Sequence, residues 1–165
     1  TTPAIGTDYF YVGDAQPKLL AGWSNTLRYK NFDLNFFFRG VFGNKIFNAT
    51  RADLSYVIAA TNNNILNSAK DDKITDNRNS FYSTRYIEKG NYIRLDNTTL
   101  SYTFNAPVKG INNLRVYATV NNVLTITKYQ GIDPEINQGG VAPGIDYNNF
   151  YPKTRTVMLG VNVSL

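Results

Sequence analysis

The stretch TRTVMLGVNVSL, Thr154–Leu165, decides how the rest of the chain is read. Val157, Leu159, Val161, Val163 and Leu165 alternate with Thr156, Met158, Gly160, Asn162 and Ser164. Successive side chains of a strand point to opposite faces, so this period of two describes a strand with one apolar face and one small or polar face. A soluble protein that stopped inside such a strand would expose an unpaired edge, a template for aggregation. A strand that closes a barrel has no free edge. Position 165 is then expected to be a natural end and Thr1 an artificial one. A charge at Val161 is expected to impair insertion far more than one at Asn162.

Four earlier segments share the pattern. In 17–30, Leu19, Ala21, Trp23, Leu27 and Tyr29 oppose Lys18, Ser24, Thr26 and Arg28, with Asn25 breaking the apolar side. In 32–42, Phe32, Leu34, Phe36 and Phe38 oppose Asp33, Asn35, Phe37 and Arg39. The segment 91–104 is clearest in its second half, where Leu100, Tyr102 and Phe104 oppose Thr99, Ser101 and Thr103. In 114–126, Leu114, Val116, Ala118 and Val120 oppose Arg115, Tyr117, Thr119 and Asn121. The fifth strand is 154–165.

The connections alternate in length. A tight turn at Lys30-Asn31 joins the first two strands, and NAPVKGINN (105–113), rich in turn formers, joins the third and fourth. Between them lie long connections, 43–90 and 127–153, of a length uncommon in compact domains. Strands of this length exceed the usual mode of ~5–6 residues and match a tilted membrane crossing of at least ~9–11. Outer-membrane barrels carry short turns on the periplasmic side and long loops outside. A periplasmic C-terminus satisfies every connection, with 43–90 and 127–153 as extracellular loops. Tyr29, Phe32, Tyr102 and Phe104 then fall near the periplasmic ends, where an aromatic girdle sits, and Trp23 lies near mid-strand. The same alternation also fits a soluble or surface β-sandwich that binds carbohydrate. Within the loop 43–90, Ala52–Ala60 reads as a short helix with Leu54, Val57 and Ile58 on one side. Five strands cannot close, and open edges are not tolerated in lipid. The segment is therefore read as the C-terminal piece of a larger barrel.

Composition excludes much chemistry. Histidine and cysteine are absent, which removes thiol nucleophiles, His-based triads, Cys/His zinc sites and disulfides. The net charge of +5 is modest and scattered, which disfavours nucleic acid. Aromatics make up 14% of residues, which suits strands better than helices. No apolar run approaches the ~20 residues of a membrane helix, and the first residues have no signal-peptide pattern. The expectation is a protein that is not an enzyme and carries no cofactor.

Several stretches together carry a family resemblance: GDAQPKLLAGWSNTLRYKNFDLNFFFRGVFGNKIFN, YIEKGNYIRLDNTTLSYTF, LRVYATVNNVLTITKYQGIDPE and YPKTRTVMLGVNVSL. In this order they resemble the C-terminus of SusC/RagA-like TonB-dependent transporters of the Bacteroidetes outer membrane. The resemblance covers nearly the whole chain and is weakest in the first long loop. It implies an all-β chain, the last five antiparallel strands of a barrel of about 22, around an N-terminal plug. It implies a SusD-like lipoprotein lid, energy from TonB-ExbB-ExbD through upstream regions, and a glycan, oligosaccharide or peptide as cargo. The terminal strand resembles the signal read by outer-membrane assembly machinery. Two departures are Leu165, where the family often has Phe, and the absence of Trp from the long loop.

Candidate sites follow from the strand phase and the loops. Asn35, Arg39, Arg115, Tyr117, Thr119 and Asn121 are expected to face the lumen, where their ordinary role is to solvate the wall and pack on the plug. Val157, Leu159, Val161, Val163 and Leu165 are expected to face lipid. In the second long loop, Tyr129, Tyr147, Phe150 and Tyr151 are candidates for stacking on sugar rings or meeting the lid, and their more ordinary role is to pack the loop or mark the interface. Asp133 and Glu135, in GIDPEIN and with Asp146 downstream, form a weak Ca²⁺ candidate and a still weaker acid/base pair. The ordinary reading of that pair is a Pro-nucleated turn with solvated acids, and a lid contact or a role in the loop's fold is the middle option.

Overall fold

A computed structural model describes residues 10–72, 82–136, 143–147 and 151–165. The chain divides into two compact units. The first, a sheet unit, comprises Leu19–Val41, Tyr92–Thr127 and Lys153–Leu165. The second, a loop unit, comprises the described residues of Thr1–Lys18, Phe42–Asn91 and Lys128–Pro152. Among the described residues no helix is long and apolar enough to cross a membrane.

The sheet unit holds β1 (Leu19–Tyr29), β2 (Phe32–Phe42), β5 (Tyr92–Val108), β6 (Ile111–Thr127) and β8 (Thr156–Ser164). Its order is β1-β2-β5-β6-β8, and the pairings of β2 with β5, β5 with β6 and β6 with β8 are antiparallel. The two longest strands run 17 residues each. The expected nine-residue connection at 105–113 is mostly strand. β5 continues past a bulge between Asn105 and Val108, where Ala106 takes φ 43°, and only Lys109-Gly110 form the turn, with Gly110 at φ 94°. The two longer excursions, after β2 and after β6, leave the opposite ends of those strands.

Register sorts the side chains into two faces, because directly paired residues share a face. One face reads Phe32–Tyr102–Val116–Val161, then Leu34–Leu100–Ala118–Leu159, then Phe36–Thr98–Val120–Val157. The other reads Asp33–Ser101–Tyr117–Gly160, then Asn35–Thr99–Thr119–Met158, then Phe37–Asn97–Asn121–Thr156. The apolar face is also the exposed one: Leu159 is 82% exposed and Val157 65%, whereas Ser101 on the polar face is 2% exposed. An apolar face that open is unfavourable in water over so many residues. At about 3.4 Å per residue and a tilt near 45°, an 11-residue strand rises about 26 Å, the height of an outer-membrane apolar band.

Aromatic packing follows the same division. Trp23 on β1 meets Phe36 edge-on at 5.4 Å and stacks on Phe38 at 5.8 Å, so it belongs to a mid-face cluster. At the hairpin-turn end, Tyr102 packs edge-on against both Phe32 and Phe104, with centroids 4.6 Å apart in each pair.

The loop unit has a fold of its own, which strand periodicity did not suggest. β3 (Lys45–Asn48) lies between β4 (Ile87–Lys89), antiparallel, and β7 (Ile145–Asp146), parallel. The helix expected at Ala52–Ala60 is two pieces: α1 (Ala49–Leu54) and a 3₁₀ turn at Val57–Thr61. The Ser55 hydroxyl donates back to the Arg51 carbonyl, a local bond that competes with helix continuation, and β-branched Val57 and Ile58 follow. Asn48 caps α1 by accepting from the Arg51 amide at 2.8 Å. Ala52, Tyr56 and Tyr86 form its fully buried core, with Phe47 and Ala59 packed against them. A further short helix, α2 (Ala69–Asp72), and a 3₁₀ turn at Thr84–Tyr86 complete the helical pieces among the described residues.

Candidate functional site: the polar face and the loop unit

All six expected lumen residues fall on one face of the sheet. Asn35, Thr119 and Asn121 sit in its central rows, and Thr99 shares a hydrogen bond of 2.8 Å with Thr119. Thr26 donates to Asn35 across β1 and β2. Arg115 donates through Nη2 to the Ser101 hydroxyl at 2.9 Å. Tyr117 lies across Gly160 on β8, so that a Cβ there would collide with the ring and its hydroxyl. Arg39 forks onto Asp96, Nε to Oδ2 at 2.8 Å and Nη2 to Oδ1 at 3.2 Å, and donates to the Tyr92 hydroxyl at 3.1 Å.

The Arg39–Asp96 pair exists because of a line of bulges. Phe37 pairs with Asn97 but Phe38 with Leu95, which leaves Asp96 as the extra residue opposite β2. On the other side Leu95 pairs with Leu124 and Asn97 with Asn121, so Asn122 and Val123 face the single Asp96. Strict alternation would send Asp96 to the apolar face and Leu95 to the polar one. The bulge instead keeps Asp96 with Arg39 and holds Leu95, Leu124 and Phe38 together on the apolar side. Asn122 takes φ 56°, a left-handed conformation that Asn tolerates. From there it accepts from Arg94 Nη1 at 3.2 Å and donates to the Thr154 carbonyl at 3.0 Å. Arg94, only 1% exposed, also lies 5.4 Å from the Tyr92 ring centroid. Sequence periodicity missed Arg94, Asp96 and Asn122 as site residues. The signal was there as a loss of alternation in RLDNT and VNNV, since a bulge erases period two where it acts.

In the loop unit one carboxylate gathers three segments. Glu88 Oε1 accepts from Asn48 Nδ2 at 3.1 Å and from Arg51 Nη1 at 3.2 Å, and Oε2 accepts from the Gln130 amide at 2.8 Å. A second junction joins Tyr129, whose hydroxyl donates to Asp146, with Thr50, whose hydroxyl donates to the Asp146 carbonyl at 3.2 Å. Both long connections thus contribute to one body. Glu88→Gln keeps the shape but removes the charge and sets an NH2 donor against one of these groups of donors, a loss of at least about 1.5 kcal/mol. Amide exchange at Gln130 and Arg51 in the intact protein should accelerate about tenfold.

Burial, followed by the bond to Asp146, pushes the Tyr129 hydroxyl far above its ordinary value. A tyrosine raised in the folded state stabilises fully below the unfolded value of about 10 and loses that contribution as pH rises beyond it. The loop unit should therefore hold to about pH 10 and loosen above it, and Tyr129→Phe should remove most of that alkaline dependence in a proteolysis-versus-pH series.

The remaining loop candidates are dispersed. Asp133, buried, accepts from the Glu135 amide at 2.8 Å in a local turn, and among the described residues no three acids gather in a metal-binding group. Tyr147 and Tyr151 are exposed, and Phe150 lies outside the described residues.

Comparison with known proteins places this geometry. No protein-family model matches the chain. It is 33% identical over 170 residues to TonB-dependent receptor P3 of Formosa agariphila, covering 92% of this chain and 17% of that protein. It is 32% identical over 168 residues to TonB-dependent receptor SusC of Bacteroides thetaiotaomicron, covering 96% of this chain and 16% of that one. The RagAB peptide transporter structure superposes with a TM-score of 0.70 at 21% identity, over 93% of this chain and 18% of that chain. The chain thus spans about a sixth of the length of the relatives it matches. A two-faced antiparallel sheet with these relatives along almost its whole length belongs to the SusC/RagA-like TonB-dependent transporters, as a piece of their barrel wall.

Proposed function

We propose that the intact protein is an outer-membrane importer energised through TonB, and that this chain is the C-terminal part of its barrel. The observation that carries the reading is the two-faced sheet of long strands, its open apolar face set against a hydrogen-bonded polar one. It fits a wall between lipid and a wet lumen. Residues 43–90 and 127–153 would be extracellular loops and the end of β8 would lie in the periplasm. RagAB, a peptide importer, supports a peptide as cargo, and the family resemblance of the sequence adds a glycan or oligosaccharide. The same resemblance, with SusC a TonB-dependent receptor, is the ground for a SusD-like surface lipoprotein over the mouth, TonB-ExbB-ExbD engaged by upstream regions, and assembly machinery engaging the terminal strand. In that setting Asn35, Arg39, Arg115, Tyr117, Thr119 and Asn121 line the lumen, and Tyr147 and Tyr151 are available to cargo or lid. No step of import requires bond chemistry from these residues.

The test is uptake by cells carrying the intact protein. Accumulation of a labelled oligosaccharide or peptide pool should fall at least tenfold when TonB is deleted, and the protein should co-purify with a lipoprotein. Uptake indifferent to TonB would overturn the reading, as would a chain that is monodisperse and cooperatively folded in plain buffer without detergent.

A further inference from the structure

The apolar face of the sheet is not uniform. Near the hairpin-turn end it carries an open groove of about 670 Å³. Val116 and Ala118 on β6 form its floor, Leu100, Tyr102 and Phe104 on β5 form one wall, and Leu159 on β8 stands on the other side. The shape follows from the rows: Ala118 lies between Leu100 and Leu159, and Val116 is shorter than its neighbour Tyr102. From the level of Phe104 to that of Leu100 the groove runs about 14 Å along the strand. At its turn end the charge is one-sided. Residues 28–33 and 103–115 hold Arg28, Lys30, Lys109 and Arg115 against a single acid, Asp33. Arg28 meets Asp33 at 2.9 Å, and register puts Asp33 and Arg115 on the polar face. Lys30 belongs to the apolar side. Its Nζ lies 5.5 Å from the centroid of the Tyr29 ring, and Tyr29 keeps the strand parity of Trp23, which packs on Phe36 and Phe38. Lys30 is exposed and close in sequence to Phe32, which also borders the groove.

We propose that this groove is a site for one anionic glycerophospholipid, with an acyl chain lying along β6 and the phosphate paired with the Lys30 ammonium. Lipid tails are as apolar as the groove itself, so what sets this place apart from the rest of the band is its shape and the charge at its end. Tyr29 and Tyr102 mark the headgroup level, where amphipathic rings settle. An ammonium there makes a charge-assisted contact to phosphate. A net-anionic headgroup keeps that attraction, whereas a zwitterionic one offsets it with its own cation. A second copy of this protein fits the place less well. A two-fold contact sets the same patch against itself, and this end would bring Lys30 and Lys109 against lysines, with Asp33 already taken by Arg28. The proposal rests on the barrel reading above, since it needs the apolar face to meet lipid.

The test is native mass spectrometry of the intact transporter in detergent, offered dioleoyl-phosphatidylglycerol and dioleoyl-phosphatidylcholine in equal amounts. One phosphatidylglycerol should be retained with about fivefold preference, the contribution of one basic side chain beside anionic lipid. Lys30→Gln should abolish that preference. Ala118→Phe, which fills the groove, should lower retention of both lipids about tenfold, and Ala118→Leu, a milder variant if the first folds poorly, should lower it severalfold. Equal retention of the two lipids by the unaltered protein would overturn the proposal. So would a preference that survives Lys30→Gln, or retention indifferent to position 118 in both variants. A dimer that Ala118→Phe dissociates would assign the groove to a second copy and overturn it as well. Uptake indifferent to TonB, with phosphatidylglycerol still retained, would sink the import reading and leave the lipid site intact. TonB-dependent uptake by a protein that does not distinguish the lipids would do the reverse.

Discussion

Leu159→Arg is expected to cut the yield of folded, membrane-inserted protein about 100-fold, while Met158→Arg, one residue earlier, leaves it within about threefold. Leu159 stands in the row Leu34–Leu100–Ala118–Leu159, third of six apolar rows counted from Phe104–Leu114 to Ile93–Ile126. That places it near the middle of any apolar band, and its 82% exposure leaves no protein to receive the guanidinium. A lipid-facing arginine at the bilayer midplane costs about 2–4 kcal/mol, and the middle of that range is the stated factor. Met158 points the other way, into the row with Asn35, Thr99 and Thr119, where a charge stays in a polar environment. The measurement is heat-modifiable migration of the folded form after refolding into short-chain lipid vesicles. Equal tolerance at both positions would refute the phase assigned to β8. A soluble sandwich would instead bury position 159, and the variant would then misfold in buffer as well.

The strands were legible because each keeps period two over at least part of its length, and lipid or core demands that pattern of any two-faced sheet. Phase, not mere existence, was readable at Leu114–Asn121 and Leu100–Phe104, where pairing is regular. It was unreadable at Arg94–Asn97 and beyond Asn121, where Asp96 and Asn122 shift the register so that polar side chains stay together. The hairpin at 105–113 was read as a connection because Pro107, Asn112 and Asn113 are turn formers, and in the structure they are accommodated beside a bulge and at an exposed strand end. The loop unit was the least legible part. Its sheet strands are two to four residues long, too short to show periodicity, and its junctions join residues far apart, such as Asn48 with Glu88 and Thr50 with Asp146. Tyr129, a candidate for stacking on sugar or meeting the lid, follows the more ordinary reading and packs the loop as a buried hydrogen-bond donor, a fact set wholly by its tertiary partner.

Gly160→Val is expected to destabilise the intact barrel by about 3 kcal/mol, and Tyr117→Ala in the same molecule to restore more than half of that loss. Gly160 is the small member of the row Asp33–Ser101–Tyr117–Gly160, and the Tyr117 ring lies on its backbone. Gly weakens a strand interior through its backbone entropy and missing side chain, but a neighbouring aromatic laid across it restores the contact. A side chain at 160 must evict that ring, and the overpacking cost is about 1–3 kcal/mol, with Val at the upper end. Phe37 and Gly22 form a looser version on β2 and β1: a Cβ at Gly22 would meet the ring at 3.3 Å, so Gly22→Ala should cost under about 1 kcal/mol. The two sites share a face and differ in clearance, which makes them an internal control. Urea unfolding in short-chain lipid vesicles gives the four corners of the 160/117 cycle directly. Additive losses would mean that Gly160 is required for some reason other than the ring above it. Strong coupling would identify Tyr117 as a clasp between β6 and β8, which would explain why the small or polar face of the terminal strand carries a glycine at that point.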